Sequence, residues 1–524
     1  MKRPRLAFLC CALALGPAWG ATGRHARFSF SAVVSEARAL AKKPYTPSKP
    51  IPRFLRRLTY NEYQSIRFIP AKAIWRKQHA RFQAQLISPG LYYTTPIQIF
   101  TVSNGVSQPV AFHRADFSYP SRRLAKRIPP HLGYAGFKLT YPLVGRHLHN
   151  QFLVFAGASY FRAVGRPNHF GLSARGIAIN TAFPPHEQFP AFEKFWIIKP
   201  APDARRIHVD ALLNGRSVTG AYRFVIRPGN VTRIRVEARL FFRRRPRVLG
   251  IAPLTSMFFY GAGTPRPTGE WRPAVHDSDG LEMVNGDGEW IWRPLIDPPS
   301  FQVTSFSLDD PRGFGLVQRD ERFVNYEDLN DRYDLRPSAW VIPRGSWGQG
   351  RLELVEIPTA SETVDNIVSY WVPGFKIRPG REYRFAYRLL FGRASIANPP
   401  GGAVVHTFVG AGRNPGMPCR ADRHTLRFIV DFTVPRSGLR LPVQGVVSAN
   451  PPARVTDVNV IPARDIGPSH RSFDRLSFLV RVPSGHALEL RAFLKDQAHT
   501  LTETWSEMLP ADAVPPLTQT PGCP

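Results

Sequence analysis

From residue 80 onward the chain breaks into short apolar runs punctuated by proline and glycine. TPIQIFTV (95–102), RFVIRP (223–228), TRIRVEARLFFR (232–243) and REYRFAYRLLF (381–391) are rich in Val, Ile, Phe and Tyr and show little helical spacing. Short strands separated by turn signals predict antiparallel sheets packed as sandwiches. Ahead of them, SAVVSEARALAKK (31–43) has the spacing of a short helix with Ser31 or Ser35 near its start, and 60–75 holds a second candidate. RASIANPPGG (393–402) is the best linker. Beyond it LRFIVDFTV (426–434), RVTDVNVI (454–461) and RLSFLVRV (475–482) alternate over roughly a hundred residues, the size of an immunoglobulin-like sandwich. The expected fold is all-β, with a large N-terminal β-sandwich domain over 21–392 and a small immunoglobulin-like β-sandwich over 403–524.

The first residues change the picture by setting the compartment. Lys2, Arg3 and Arg5 precede an apolar stretch at 6–15, and small residues follow before Ala21. That is the form of a secretory signal peptide over 1–20, and it places the remaining chain in the periplasm. The leading segment carries no twin-arginine pair, and Cys10 lacks the small residues a lipoprotein signal places before its cysteine. No later run reaches the ~18 apolar residues of a membrane span, so stable membrane insertion is not expected. Cys10 and Cys11 leave with the signal. Cys419 and Cys523 remain and form a candidate disulfide in an oxidising compartment.

Charge adds a contrast. The net formal charge is +32, which suits anionic partners, although export argues against nucleic acid; arginine-rich composition alone could also produce it. The window 271–370 holds 18 Asp and Glu against 9 Arg and Lys, so it carries −9 while the rest carries +41. Six of the ten tryptophans lie within 271–371, so acids and indoles concentrate together.

The core of that window is WRPAVHDSDGLEMVNGDGEWIWRP (271–294). VNGDGEW carries Asn-Gly and Asp-Gly between two strand-like runs, a hairpin signal. On its second strand Trp290 and Trp292 share one face and Glu289 and Ile291 the other. Asp277 and Asp279 fall where a strand end runs into a loop. Further acid and aromatic patches lie at 314–341 and at SETVDNIVSYWVP (361–373). Carboxylates beside indoles suit carbohydrate: sugar rings stack on aromatic faces, and glycoside cleavage uses one protonated and one ionised carboxyl. Plainer readings stand beside this one. An Asp next to Gly or Asn is a common turn former, and tryptophans in sandwiches commonly fill cores. Arg319 and Arg336 read as ion-pair partners of nearby acids, and His276 alone reads as structural. HDSDG opens like a calcium loop, but Leu281 breaks the ligand spacing. HExxH, CxxC, GxSxG and GxxxxGK[ST] are absent, so the sequence calls for no metal or other cofactor.

MFFYGAG (257–263), WRPAVHDSDGLEMVNGDGEWIWRPL (271–295), FGLVQRDERFVNYEDL (314–329) and RPSAWVIPRGSWGQGRLELVEIPTASETVDNIVSYW (336–371) resemble the OpgG/OpgD (MdoG) family. LGYAGFKL (132–139) and ASYFRAVG…GLSARGIAINT (158–181) extend the likeness, which runs from about residue 45 into the last domain. These are periplasmic proteins needed to make osmoregulated periplasmic glucans. The resemblance implies a large sandwich with a long cleft, joined by a short helical turn to a small one. It implies cleavage or rearrangement of β-1,2-glucan with inversion, the general acid being the Asp of ETxDN, here Asp365. The base is an Asp of HDSDG, here Asp277 with Asp279 as second choice. The chain departs from the family pattern at Ala274 and Ile342, where glutamates are expected.

On this reading Trp271, Trp290, Trp292, Trp340, Tyr370 and Trp371 are candidate stacking residues, and Arg175 and Arg319 are candidate polar contacts. A β-glucan is the expected ligand, with a membrane-bound glucan synthase or substituting enzymes as possible partners. Two alternatives stay open: a glucan-binding scaffold without turnover, and a catalyst for another polysaccharide linkage.

Overall fold

The computed structural model describes residues 27–145, 147–412, 425–434, 442–466, 471–481, 487–497 and 499–511. Residues 1–20, Cys419 and Cys523 lie outside the described residues, and with them the signal segment and the candidate disulfide.

The chain is all-β, built from sheets packed face to face. One sheet has ten strands and includes Tyr160–Ala163, Ser173–Arg175, Leu249–Ser256, Ile367–Pro373 and Gln349–Glu356 as successive neighbours, apart from Ile177–Ile179, which pairs with Leu249–Ser256 off that path. The other has fourteen strands. It runs through Glu382–Gly392, Thr232–Phe242, Val218–Arg227, Ile207–Asn214 and Ala191–Ile198 at one end, and through Gly280–Val284 and Trp290–Pro294 towards the other. Between them lies the main core, with Phe82, Phe137, Phe152, Tyr222, Leu254, Leu316 and Trp371 all almost fully buried. Burial of large apolar side chains on this scale, at about 1.5–3 kcal/mol each, is what holds two wide sheets together.

The alternating runs at 223–228, 232–243 and 381–391 fall within the strands Val218–Arg227, Thr232–Phe242 and Glu382–Gly392, paired antiparallel in continuous register. The N-terminal helix spans Phe30–Ala41 and lays Phe30, Val33 and Ala37 on the outer face of these strands, against Leu212, Ala221 and Phe241. The candidate at 60–75 yields a short helix, Tyr60–Gln64, begun by a capping box between Thr59 and Glu62.

After the 3-10 turn Ala394–Ile396 come seven described strands. Val404–Ala411, Thr425–Phe432, Arg471–Arg481 and Arg454–Ile466 form one sheet. Gln444–Ala449, Leu488–Lys495 and Thr504–Leu509 form the facing layer, which is the far end of the fourteen-stranded sheet. The junction is a parallel pairing of Trp290–Pro294 with Thr504–Leu509, in the register Ile291↔Thr504 and Trp292↔Trp505. Among the described residues, no helix is long and apolar enough to cross a membrane.

Candidate active site

The site is organised by one short strand, Phe258–Tyr260, from the MFFYGAG motif. It pairs antiparallel with Val275–His276, Phe258 opposite His276, and the Asp277 N–H donates to the Met257 carbonyl at 2.8 Å. From the other side the buried Asn366 amide holds the same strand. Its Oδ1 accepts from the Phe258 N–H at 2.9 Å, and its Nδ2 donates to the Phe258 carbonyl at 2.9 Å and to the Ile357 carbonyl at 3.1 Å. Residues far apart in sequence, Asp277 and Asp365, are therefore both tied within a residue or two of Phe258. ETxDN and HDSDG meet because MFFYGAG lies between them.

The two carboxyls differ in setting. Asp277 is buried, and its Oδ1 has no hydrogen bond; the Arg336 Nε lies 3.3 Å away, outside hydrogen-bonding alignment. Burial raises its proton affinity most, Arg336 lowers it, and the charge of Asp365 raises it again. Asp365 is about a third exposed and accepts from Arg162 Nη2 at 3.3 Å. No hydrogen bond joins the two carboxyls, yet they are close enough to feel each other's charge. Gly171 makes room for the Asp277–Arg336 contact: a Cβ there would stand 3.0 Å from Arg336 Cδ and 3.4 Å from Asp277 Cγ.

Arginines set the walls. Arg162 is oriented by Ser173, whose Oγ accepts from its Nε at 2.6 Å. Arg175, two residues along that strand, donates to Thr255 Oγ1 at 2.8 Å and packs 4.5 Å over the Tyr160 ring. Tyr160 feels both Asp365 and Glu187, so Arg175 belongs to the wall beside Asp365, itself buried. Arg272 gathers Glu270, Asp328 at 3.1 Å and Glu362 at 2.6 Å; its own hydrogen bonds to Glu270, with the Trp271 N–H, hold the Glu270 carboxyl down at about 2 against burial. Trp271, next in sequence, is 65% exposed, the only one of the six aromatic candidates with an open face.

Behind the carboxyls runs a buried polar network. His276 Nδ1 lies 3.0 Å from Gln318 Oε1, and Gln318 Nε2 donates to the His276 carbonyl, the Tyr326 hydroxyl and the Tyr333 carbonyl. His276 is thus structural, stacked on Phe258 at 5.3 Å. Asp279 accepts from the backbone N–H groups of Arg319 and Asp320 at 2.5 and 2.7 Å and braces this loop.

Five aromatic candidates and one arginine are placed elsewhere. Tyr370 and Trp371 sit on Ile367–Pro373, a strand buried along its whole length because the main core covers one face and Ala178, Val248 and Val355 cover the other. Trp290 and Trp340 stack on each other at 5.7 Å, and with Trp292 they pack against the second sandwich. Arg319 lies 3.6 Å over the Trp292 ring, pairs with Glu282 and with Glu503 at 2.6 Å, and donates to the Val404 carbonyl at 3.0 Å. Through these contacts it fastens the sandwiches together as an ion-pair partner of Glu282 and Glu503. The residues that sequence reasoning passed over are Arg162, Tyr160, Arg272 and Gln318; the first two stood inside the quoted ASYFRAVG.

The profile of the family described as "Periplasmic glucan biosynthesis protein, MdoG" matches residues 28–509. The chain belongs to this family. It is also 42% identical, over 488 residues, to Glucans biosynthesis protein G of Ralstonia nicotianae (strain ATCC BAA-1114 / GMI1000), covering 92% of this chain and 96% of that protein. As an MdoG family member the chain is a protein of periplasmic glucan biosynthesis.

Proposed function

We propose that the protein, exported to the periplasm, acts on linear β-1,2-glucan as an inverting hydrolase or transglycosylase. Asp365 donates a proton to the leaving oxygen, and Asp277 takes one from the attacking water. The observation that carries this is the pair of carboxyls tied to opposite sides of Phe258–Tyr260, unbonded to each other and unlike in burial. Carboxyls brought from separate elements suit inversion, which needs room for a water molecule between them. Burial makes Asp277 a stronger proton acceptor than an ordinary Asp, which suits a base working near neutral pH. The linkage and the stereochemistry rest on the motif resemblance.

Incubation of the protein without residues 1–20 with linear β-1,2-glucan, followed by NMR, should give shorter chains with inverted anomers. Asp365→Asn should abolish turnover with the fold intact, and full activity in that variant removes the acid assignment. Azide should partly rescue Asp277→Asn, and glucosides with good leaving groups should bypass Asp365→Asn; the opposite pattern reverses the two roles.

A second reading has its own observation: each carboxyl already faces an arginine, Asp277 with Arg336 and Asp365 with Arg162. Neutralised carboxyls suit a glucan-binding scaffold that presents the chain to a membrane-bound synthase or a substituting enzyme. Undiminished polymer alongside binding that survives both Asp→Asn substitutions supports the scaffold.

A further inference from the structure

A cavity of about 560 Å³ lies apart from the paired carboxyls, walled by Arg216, Arg244, Arg245 and Arg247 with Tyr45 and Phe189. Three of these arginines come from RRRPR (243–247), the turn between Thr232–Phe242 and Leu249–Ser256. Pro246 is buried and pins the turn, so the neighbouring side chains project outward. Arg244 is held by Ser217 Oγ at 3.0 Å, and Arg247 lies 5.1 Å over the Phe183 ring.

Among the described residues none of the four arginines is ion-paired, and Ser217 and the Phe183 ring are what Arg244 and Arg247 meet. The acid lining the cavity is Glu187, whose carboxyl is 3.8 Å from Arg175. Four cations lining one concavity repel one another, even in water. An anion relieves that repulsion, and guanidinium forks match the oxygens of phosphate and carboxylate.

The cavity is also connected. A second one, of about 220 Å³, shares Tyr45 and Phe189 with it and adds Tyr92, Tyr93 and Tyr160. Tyr160 lies within the field of Asp365 and under the Arg175 guanidinium. An aromatic-lined trough therefore adjoins the arginine cavity, and Arg175 touches both, over Tyr160 of the trough and 3.8 Å from Glu187 of the cavity.

We propose that the arginine cavity holds the phosphoryl or carboxyl group of an anionically substituted glucan whose neutral sugar units lie along the tyrosine trough. This deepens the glucan reading and rests on it. The same arginines could meet the headgroups of an anionic membrane, and the experiment separates the two.

Calorimetry on the protein without residues 1–20 would compare inorganic phosphate, a linear β-1,2-glucan oligosaccharide, and the same oligosaccharide phosphorylated at a primary hydroxyl. The phosphorylated chain should bind about tenfold tighter than the neutral one at low salt, with the advantage shrinking as NaCl rises. Arg245→Ala/Arg247→Ala should erase the advantage while binding the neutral chain as before. Equal affinity for both chains, or an advantage untouched by the double substitution, overturns the proposal and leaves the glucan reading intact. Failure to bind the neutral chain at all instead removes the glucan reading, and the proposal with it. Sedimentation with phosphatidylglycerol vesicles supplies the other arm: vesicle binding that the double substitution abolishes, with no preference between the oligosaccharides, assigns the cavity to a membrane surface and overturns the proposal.

Discussion

Asn366 is the residue whose loss should show most directly how the site is assembled. Its side chain is fully buried and makes three hydrogen bonds, two to Phe258 and one to Ile357. Asn366→Ala removes all three. At about 1 kcal/mol net for each, and about 1–3 kcal/mol more for a buried donor left without that acceptor, the loss should total about 4–6 kcal/mol. That is a large share of the roughly 5–15 kcal/mol by which a domain is stable. The damage should not be spread evenly, because the amide is next to Asp365 and grips the strand that positions Asp277. Asn366→Asp is the informative partner: it keeps the acceptor for the Phe258 N–H but turns oxygen towards two carbonyls. Its deficit should grow as pH rises and the buried carboxyl ionises. Urea unfolding followed by tryptophan fluorescence gives the stability, and glucan turnover or binding gives the site. If Asn366→Ala unfolds within about 1 kcal/mol of the parent protein and handles glucan unchanged, the reasoning that hangs both carboxyls on Phe258 is wrong.

Other substitutions test separate parts of the structure. Arg319→Met strands the buried Glu282 and Glu503 and should cost about 3–5 kcal/mol in urea unfolding; an unchanged midpoint would show that the ion pairs hold nothing. Glu356 is fully buried, and burial pushes its carboxyl up from 4.5 to about 7 despite Arg293. Because the folded protein holds this proton more tightly than the unfolded chain, the stabilisation is complete below about pH 4.5. It is lost as pH rises through 7, by about 3 kcal/mol in all. Glu356→Gln should flatten that part of the stability–pH curve, and a curve of unaltered slope would rule the assignment out. Gly171→Ala should shift Arg336 against Asp277 by a few tenths of an ångström and slow turnover roughly tenfold with little change in unfolding; equal kinetics in the variant would show that the contact does not matter.

Local pattern carried much of the fold into the sequence. The runs at 223–228, 232–243 and 381–391 alternate, and each became part of a strand with the expected pairing. The hairpin at 284–290 formed with Val284 opposite Trp290, and Ile291 does face away from Trp290 and Trp292. What alternation could not tell was what each face would meet. The tryptophan face met another sandwich, a contact made by residues two hundred positions later. Tyr370 and Trp371 lie in IVSYWVP, apolar apart from Ser369, which is the signature of a strand covered on both sides. Arg162 was hidden for the same reason of distance: its acid partner Asp365 is 203 residues away. RRRPR was visible as charge, but only the folded turn shows that its side chains ring a hollow.

The sheet that passes without a break from one sandwich into the other has a consequence for anyone dividing the protein. Severing the chain at 393–402 would not release two finished bodies. It would uncover the backbone of Trp290–Pro294 as a raw edge, flanked by the bared rings of Trp290, Trp292 and Trp340, and leave Arg319 beside one carboxylate instead of two. Such an edge recruits any strand it meets. The N-terminal fragment should therefore be a sticky, self-associating species, and the second sandwich serves the first as its selvedge, the finished border that keeps a woven sheet from fraying.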